Sequence, residues 1–250
     1  MKTINTALCM LRVISDHGGE ISVGALSEKM GLDKAKVHRN LRALVEQRFV
    51  EQNPETKSYR LGLALVELAG VRLRQMHVYK IAPVYMTQLW DKTNETVQLS
   101  ILRDGFLIFL HVIESTHGLR FSSRVGDRIK PYYSAAGKLL LAYQADAELE
   151  SFDIETIERM TPRTIVDPEK LKRELRQIRK QGFAIDNGGW ITGLSAVAAP
   201  IRNATDEVVA AIATGGPTSR VSKDRLREMR ELLEGTATNI SSHLGWSQKN

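Results

Sequence analysis

Residues 33–47 read DKAKVHRNLRALVEQ and are the most informative stretch of the chain. Val37, Leu41 and Leu44 recur at helical spacing, which predicts an amphipathic helix with those side chains buried. Asp33 carries a side chain typical of an N-cap and marks the start of this helix. The opposite side is polar and basic, and it presents Lys36, Arg39, Asn40 and Ala43, flanked by Lys34, His38 and Arg42.

Two shorter helices are predicted before this one. The first covers residues 4–15, where the apolar positions at helical spacing are Ile4, Leu8, Leu11 and Ile14. Ser22 is a suitable N-cap for the second, and Gly31 ends it. A helix, a short glycine-containing turn and a further helix form the helix-turn-helix arrangement.

A hairpin is predicted directly after the third helix. Two short strands, at Phe49–Val50 and at residues 59–61, enclose the polar turn 52–57. A hairpin in this position is the wing of a winged helix, with Lys57 at or near its tip. We therefore predict a winged helix-turn-helix over residues 1–62.

The basic side of the third helix is interpreted as a surface for duplex DNA. Arg pairs bidentately with guanine and Asn with adenine, while flanking Lys and Arg contact phosphates. The alternative for that helix face alone is an ordinary solvated surface, and the wing favours the DNA interpretation. The predicted DNA contacts are Lys34, Lys36, His38, Arg39, Asn40, Arg42 and Lys57.

Composition supports a polyanion partner for the first third of the chain. The 250 residues carry a formal charge of +6, and residues 1–80 hold thirteen Lys and Arg against eight Asp and Glu. No stretch is long and apolar enough for a membrane span, so no membrane partner is expected. Cys9 is the only cysteine. A reducing, cytoplasmic location is therefore expected, without an intrachain disulfide.

The remaining sequence predicts a separate α+β domain. A linker is assigned to residues 63–80, and within it a helix is expected over 63–78. The domain that follows spans 81–250, and Pro83 is expected to open its first helix. Asp104-Gly105 joins two strands as a hairpin, and residues 119–125 are predicted as a third strand. Helices begin at Ser134, at Asp167-Pro168 and at Ser222. Further strands are predicted at 183–185, 194–201 and 208–215, which gives a largely antiparallel sheet flanked by helices.

Ordered blocks along the chain resemble the IclR (isocitrate-lyase-regulator) family of transcription factors. The first is LDKAKVHRNLRALVEQRFVEQNPETKSYRLG, followed by ETVQLSIL, YYSAAGKLLLA, TPRTIVDPEKLKRELRQIRKQGFAIDN and GLSAVAAPI with GGPTSR. The resemblance implies a winged-helix domain, a linker helix and a GAF-like effector-binding domain. It also implies homodimers or homotetramers that bind operator DNA, as repressors or activators, under control of a small organic or aromatic acid.

Effector contacts carried over from the family include Ala135, Ala136, Asp186, Leu194, Ala196, Ala213 and Gly215. Family members that bind two- or three-carbon oxoacids have a Cys and two Ser at the last three of these positions. Ala196, Ala213 and Gly215 lack those groups, and each lost hydrogen bond costs about 1 kcal/mol. We therefore expect a larger and less polar ligand than pyruvate, with Trp190 or Tyr133 nearby. The alternative is that these three residues only pack the sheet.

The family pattern also differs within the third helix. Lys34, Val37, His38 and Arg39 match it, whereas Ala35 and Lys36 replace the usual Ser-Thr pair and Asn40 replaces an apolar residue.

The sequence leaves two other function classes as alternatives. An enzyme is disfavoured because the chain has no GxSxG, HExxH or Cys–His nucleophile pattern, and residues 135–138 (AAGK) lack the rest of a phosphate-binding loop. Six scattered histidines give no metal-ligand spacing, so neither metal nor cofactor is expected. A DNA-binding architectural protein without a ligand is the second alternative.

Overall fold

The computed structural model describes residues 2–145 and 156–247. The chain divides into two compact units between Met76 and His77, and each is described by itself.

The first unit is a winged helix-turn-helix, as the sequence predicts. Its elements are α1 (Lys2–His17), α2 (Val23–Met30), α3 (Lys34–Glu46), β1 (Val50–Gln52), β2 (Tyr59–Leu61) and α4 (Ala64–Arg74). The predicted caps are confirmed, because Ser22 Oγ accepts from Ala25 N and Asp33 Oδ1 accepts from Lys36 N. Gly31 ends α2 with a left-handed backbone (φ +60°), a conformation that glycine adopts without a steric penalty.

The buried side of α1 differs from the predicted one. Met10 and Ile14 lie in the core of the first unit, with Ala7 and Leu11 packed against it. Ile4 and Leu8 are instead exposed, by 68% and 55%. Positions 7, 10, 11 and 14 form a complete i, i+3, i+4, i+7 stripe, so a second apolar stripe on the same helix is left uncovered.

The predicted linker helix is shorter than expected. α4 ends at Arg74, where Gln75 N and Met76 N bond to carbonyls three residues back, and α5 (His77–Thr93) begins almost at once. The expectation that Pro83 opens a helix is wrong, because Pro83 lies inside α5. A helix tolerates such a proline at the loss of one backbone hydrogen bond, the one Tyr79 would accept.

The second unit is built on an antiparallel sheet. Among the described residues the strand order is β5-β4-β3-β8-β7-β6. The strands are β3 (Thr96–Arg103), β4 (Phe106–Ile113), β5 (Arg128–Ile129), β6 (Ala184–Asn187), β7 (Leu194–Arg202) and β8 (Val208–Pro217). Asp104 and Gly105 both have positive φ and close the β3–β4 hairpin, as predicted.

Helices cover both faces of this sheet, which is why β3 and β8 are buried almost continuously. α6 (Ala135–Ala142), after a short 3₁₀ turn at Pro131–Tyr133, and α7 (Pro168–Gln181) pack on the face that carries Ala198, Ala211 and Ala213. α5 and α8 (Lys223–His243) pack together against the strands from the other side. The predicted N-caps Ser134, Asp167 and Ser222 are confirmed.

The prediction of a third strand at residues 119–125 is wrong. This segment is irregular, and β4 pairs instead with β5. Side chains of β3 hold the segment in place of a backbone ladder. Thr96 Oγ1 donates to the Phe121 carbonyl at 2.7 Å, and Gln98 Nε2 donates to Ser123 Oγ at 2.5 Å.

Candidate nucleic-acid interface and effector site

The packing of α3 determines which of its side chains are available to a ligand. Val37, Leu41 and Leu44 are buried in the core of the first unit, which fixes the rotation of the helix about its axis. The opposite side is therefore turned to solvent. Of the predicted DNA contacts on α3, Lys34, His38, Arg39 and Arg42 are exposed and Lys36 is half-buried.

Asn40 does not share this exposed side. Its side chain is buried, and Nδ2 donates to the Lys36 carbonyl at 2.8 Å. Position 40 lies three residues after Val37 and four before Leu44, so it belongs to the edge of the buried stripe. The sequence pattern placed Asn40 on the wrong side because it treated a polar residue as solvent-facing.

The wing presents Lys57 beside the helix-turn-helix. β1 and β2 pair antiparallel, and Ile21 forms an additional bridge with Tyr59 through two backbone hydrogen bonds of 2.8 Å. Lys57 is exposed and has a left-handed backbone (φ +58°). The first unit thus combines an exposed basic helix face with a basic wing, the two parts that a winged helix uses on duplex DNA.

The second unit contains a small cavity beneath the N-terminus of α6. Its volume is about 20 Å³, which is room for one water molecule. Seven of the eight predicted effector contacts line it: Ala135, Ala136, Asp186, Trp190, Leu194, Ala196 and Ala213. Gln98, Phe121 and Ser134 also line it and were missed, because a strand was expected at Phe121 and nothing in the pattern linked these positions.

Gly215 and Tyr133 are not among the residues that line the cavity. A Cβ on Gly215 would lie 2.5 Å from the Ser195 carbonyl oxygen and 2.6 Å from Ala196 Cβ. Gly215 therefore permits the close approach of β8 to β7, in agreement with the sheet-packing alternative at this position. Tyr133 is buried and makes an edge contact with Tyr132.

A buried lysine pairs with Asp186, the acidic residue that lines the cavity. Lys138 Nζ lies 3.5 Å from Asp186 Oδ1 and 2.8 Å from Glu174 Oε1, and Trp190 N donates to Asp186 Oδ2. Burial raises the pKa of Asp186, while Lys138 and the backbone N–H of Trp190 oppose that rise. Lys138 was missed in the sequence, although a lysine inside the apolar run of α6 was the available signal.

The N-terminus of α6, at Ser134, Ala135 and Ala136, borders the same cavity. Ser134 Oγ accepts from Gly137 N, and the Ser134 carbonyl accepts from Lys138 N. The N–H groups of Ala135 and Ala136 precede the first intrahelical bond, so the helix itself gives them no acceptor. Together with the helix dipole they favour an anion at this end of the cavity.

The rest of the cavity wall is apolar. Trp190 meets Phe121 edge to face, with 5.2 Å between ring centroids, and Ala196, Ala213 and Leu194 complete the wall. A wider groove of about 690 Å³ lies along α7 and β6. It is open to solvent and lined mainly by long polar side chains of α7, so it lacks the enclosed apolar character of a small-molecule site.

Residues 2–145 and 156–247 offer no cluster of candidate metal ligands and no candidate membrane-spanning helix. In these ranges, no group of three His, Cys, Asp or Glu side chains is arranged to hold a metal ion. Nor does any helix there combine the length and apolar character needed to cross a bilayer.

Comparison with known proteins agrees with this geometry. The family described as bacterial transcriptional regulator IclR C-terminal matches residues 71–242, and the IclR helix-turn-helix domain matches residues 5–54. The HTH-type transcriptional regulator KdgR of Escherichia coli (strain K12) is 34% identical over 229 residues, which cover 91% of this chain and 87% of the relative.

Solved structures share the fold over nearly the whole chain. The crystal structure of the Thermotoga maritima IclR has a TM-score of 0.79 and 29% identity, and the match covers 98% of this chain and 100% of that one. An IclR homolog of Microbacterium hydrocarbonoxydans, complexed with 4-hydroxybenzoate, has a TM-score of 0.82 at 23% identity, covering 95% and 98% of the two chains.

The two family matches together span most of the sequence, and they describe regulators rather than enzymes. With its winged helix-turn-helix and α+β effector-binding unit, the chain belongs to the IclR family of bacterial transcriptional regulators.

Proposed function

We propose that this regulator recognises operator DNA through α3 and the wing, and that a carboxylic acid larger and less polar than pyruvate controls it. The DNA contacts we propose are Lys34, Lys36, His38, Arg39, Arg42 and Lys57, which leaves out the buried Asn40. The observation that carries the effector proposal is the gathering of seven expected contact residues around one small cavity.

The chemistry of the cavity supports the acid and its orientation. Asp186 repels a carboxylate, whereas the N–H groups of Ala135 and Ala136, in the first turn of α6, attract one. The acid group therefore belongs at the α6 end, and an apolar body belongs against Trp190 and Ala213. Asp186 then accepts a hydrogen bond from a hydroxyl of the ligand. The fold neighbour from Microbacterium hydrocarbonoxydans is complexed with such a hydroxy acid.

A ligand of this size requires the cavity to widen. Its present volume of about 20 Å³ holds no organic acid. The wall suited to move is the irregular segment that carries Phe121, because side chains rather than a backbone ladder attach it to β3. The edge contact between Phe121 and Trp190 is then the contact that the ligand replaces.

Calorimetric titration with benzoate, 4-hydroxybenzoate, glyoxylate and pyruvate tests the effector proposal. We expect an aromatic acid to bind more tightly than either oxoacid and to raise the melting temperature, since it binds only the folded state. Tight binding of glyoxylate or pyruvate alone would contradict the proposed ligand class. Binding of none, with DNA binding intact, would favour the architectural protein.

We further propose that the chain acts in the cytoplasm as a homodimer or homotetramer. Exposed apolar side chains in the first unit support this: Ile4 and Leu8 on α1, and Leu63 and Val66 at α4, are each more than half exposed. Sedimentation velocity tests it. We expect an oligomer that dissociates in the variant Leu8→Ser/Val66→Ser, and a wild-type monomer would contradict the proposal.

A further inference from the structure

The tip of the wing is held by a polar network rather than by apolar packing. Asn53 Oδ1 accepts from the backbone N–H groups of Glu55 and Thr56, at 2.9 and 3.2 Å. The Asn53 carbonyl accepts from Lys57 N at 2.9 Å, and Gln52 Nε2 donates to the Lys57 carbonyl at 3.0 Å. These bonds hold Lys57 in a left-handed conformation (φ +58°) that residues other than glycine seldom adopt.

One acidic residue from outside the hairpin anchors this network. The carboxylate oxygens of Glu20, at the entrance to α2, accept from Asn53 Nδ2 at 2.9 and 3.0 Å and from Thr56 Oγ1 at 3.0 Å. Arg60 Nη1 lies 3.7 Å from the same carboxylate. Hydrogen bonds from Asn53 and Thr56 lower the pKa of Glu20, so the network favours its anionic form. The neighbouring Ile21 pairs with Tyr59 and fixes the backbone there.

We propose that Glu20 is a positioning residue for DNA binding, which holds the wing loop so that Lys57 is presented to the phosphate backbone. The inference rests on the proposed DNA contact of Lys57. A carboxylate beside a DNA-binding loop is unfavourable by charge alone, because it repels phosphate. Its bonds to Asn53 and Thr56 give it a compensating role, since a loop ordered in advance loses less conformational entropy on binding.

The charge of Glu20 and its proposed positioning role predict opposite effects of Glu20→Ala on DNA affinity. Glu20→Ala deletes a negative charge near the DNA, which alone raises affinity. Loss of the anchor lowers affinity, and this loss is what we expect to dominate. Glu55→Ala is the matched control: Glu55 lies in the same exposed loop, and among the described contacts only its backbone N–H joins the network.

The DNA test uses a duplex that the wild-type protein selects from a random pool. We expect Glu20→Ala to weaken binding roughly five- to tenfold, the value of about one ordinary hydrogen bond. The slope of log K against log salt should also fall by about 0.9, the loss of one phosphate contact. Glu55→Ala should bind as tightly as wild type or more tightly. Unchanged or tighter binding by Glu20→Ala would overturn the inference.

A double-mutant cycle identifies the residue through which Glu20 acts. In a Lys57→Ala background, Glu20→Ala should cause no further loss of affinity, and a small gain from the deleted charge, because both changes remove the same phosphate contact. Glu20→Gln keeps one acceptor oxygen and should restore part of the affinity. Full additivity of Glu20→Ala and Lys57→Ala would contradict an action through Lys57.

Hydrogen exchange tests the network without DNA. In Glu20→Ala, the amides of Thr56, Lys57 and Ser58 should exchange faster than in wild type, whereas Glu55→Ala should leave them unchanged. Equal exchange in Glu20→Ala and wild type would overturn the inference. If the wild-type protein selects no duplex, the proposed DNA contact fails, and the exchange result still decides whether Glu20 orders the wing.

Discussion

Lys138 and Asp186 form an ion pair inside the second unit, with Nζ 3.5 Å from Oδ1 and both side chains more than nine-tenths buried. Glu174 on α7 completes the group at 2.8 Å. The pair thus connects the wall of the cavity with a helix on the surface. The three side chains form a charged network at a buried position where a purely structural core would carry apolar side chains. Buried charged networks of this kind are typical of binding sites.

Removal of Lys138 should strongly destabilise the second unit. Lys138→Met leaves the buried Asp186 carboxylate without its cation, and breaking a buried pair in this way costs roughly 3 kcal/mol. Urea denaturation at pH 7 measures the loss. Lys170→Met, a change of an exposed lysine on α7, is the control and should be neutral. Equal midpoints for Lys138→Met and wild type would show that the pair contributes nothing.

The raised pKa of Asp186 predicts a pH dependence of stability. Because the folded pKa lies above the unfolded value, the unfolded chain loses this proton first as the pH rises. The contribution of Asp186 is therefore fully present below the unfolded pKa, near 3.8, and is lost as the pH rises through the folded pKa. As the pH rises from the unfolded to the folded pKa of Asp186, the Asp186→Asn variant should therefore become more stable relative to wild type. Denaturation midpoints measured from pH 4 to 8 test this, and a constant difference would contradict it.

Hydroxyl groups in the cavity should change its ligand preference. Ala196→Ser/Ala213→Ser adds two donors to the apolar wall, each worth about 1 kcal/mol when it bonds a polar ligand. We expect the ratio of affinities for pyruvate and benzoate to rise roughly tenfold or more. Calorimetry with the two acids measures the ratio. Ala210→Ser, on β8 but outside the residues that line the cavity, is the control. An unchanged ratio would show that these two alanines take no part in ligand recognition.

The buried Asn40 should affect folding rather than base preference. Asn40→Ala removes the hydrogen bond to the Lys36 carbonyl, which is worth about 1 kcal/mol. We expect a lower denaturation midpoint but the same selected DNA sequence. Selection of duplexes from a random pool compares the variant with wild type. A changed base preference would show that Asn40 contacts DNA.

Local signals made most of the fold predictable from the sequence. Ser22, Asp33 and Ser134 cap helices because their side chains accept from the backbone two or three residues on. The turn at Asp104-Gly105 is equally local. The winged helix-turn-helix followed from caps of this kind, from helical periodicity and from the predicted hairpin at residues 49–61.

The errors concern features that depend on tertiary contacts. Periodicity could not decide which of two apolar stripes on α1 is buried, so Leu8 was placed inside. Segment 119–125 has strand-like residues, but it hydrogen-bonds to β3 through the side chains of Thr96 and Gln98 instead of through a backbone ladder. Lys138 was overlooked because its partners lie 36 and 48 residues away in the sequence.

Reversing charge on the exposed side of α3 tests the central claim most directly. Fluorescence anisotropy with the selected duplex should show at least about a 100-fold loss of affinity for Lys36→Glu/Arg39→Glu, because base and phosphate contacts are removed together. Arg12→Glu/Arg72→Glu makes the same change in net charge at exposed positions on α1 and α4, and it should lose far less. Undiminished affinity in a folded Lys36→Glu/Arg39→Glu variant would contradict the account.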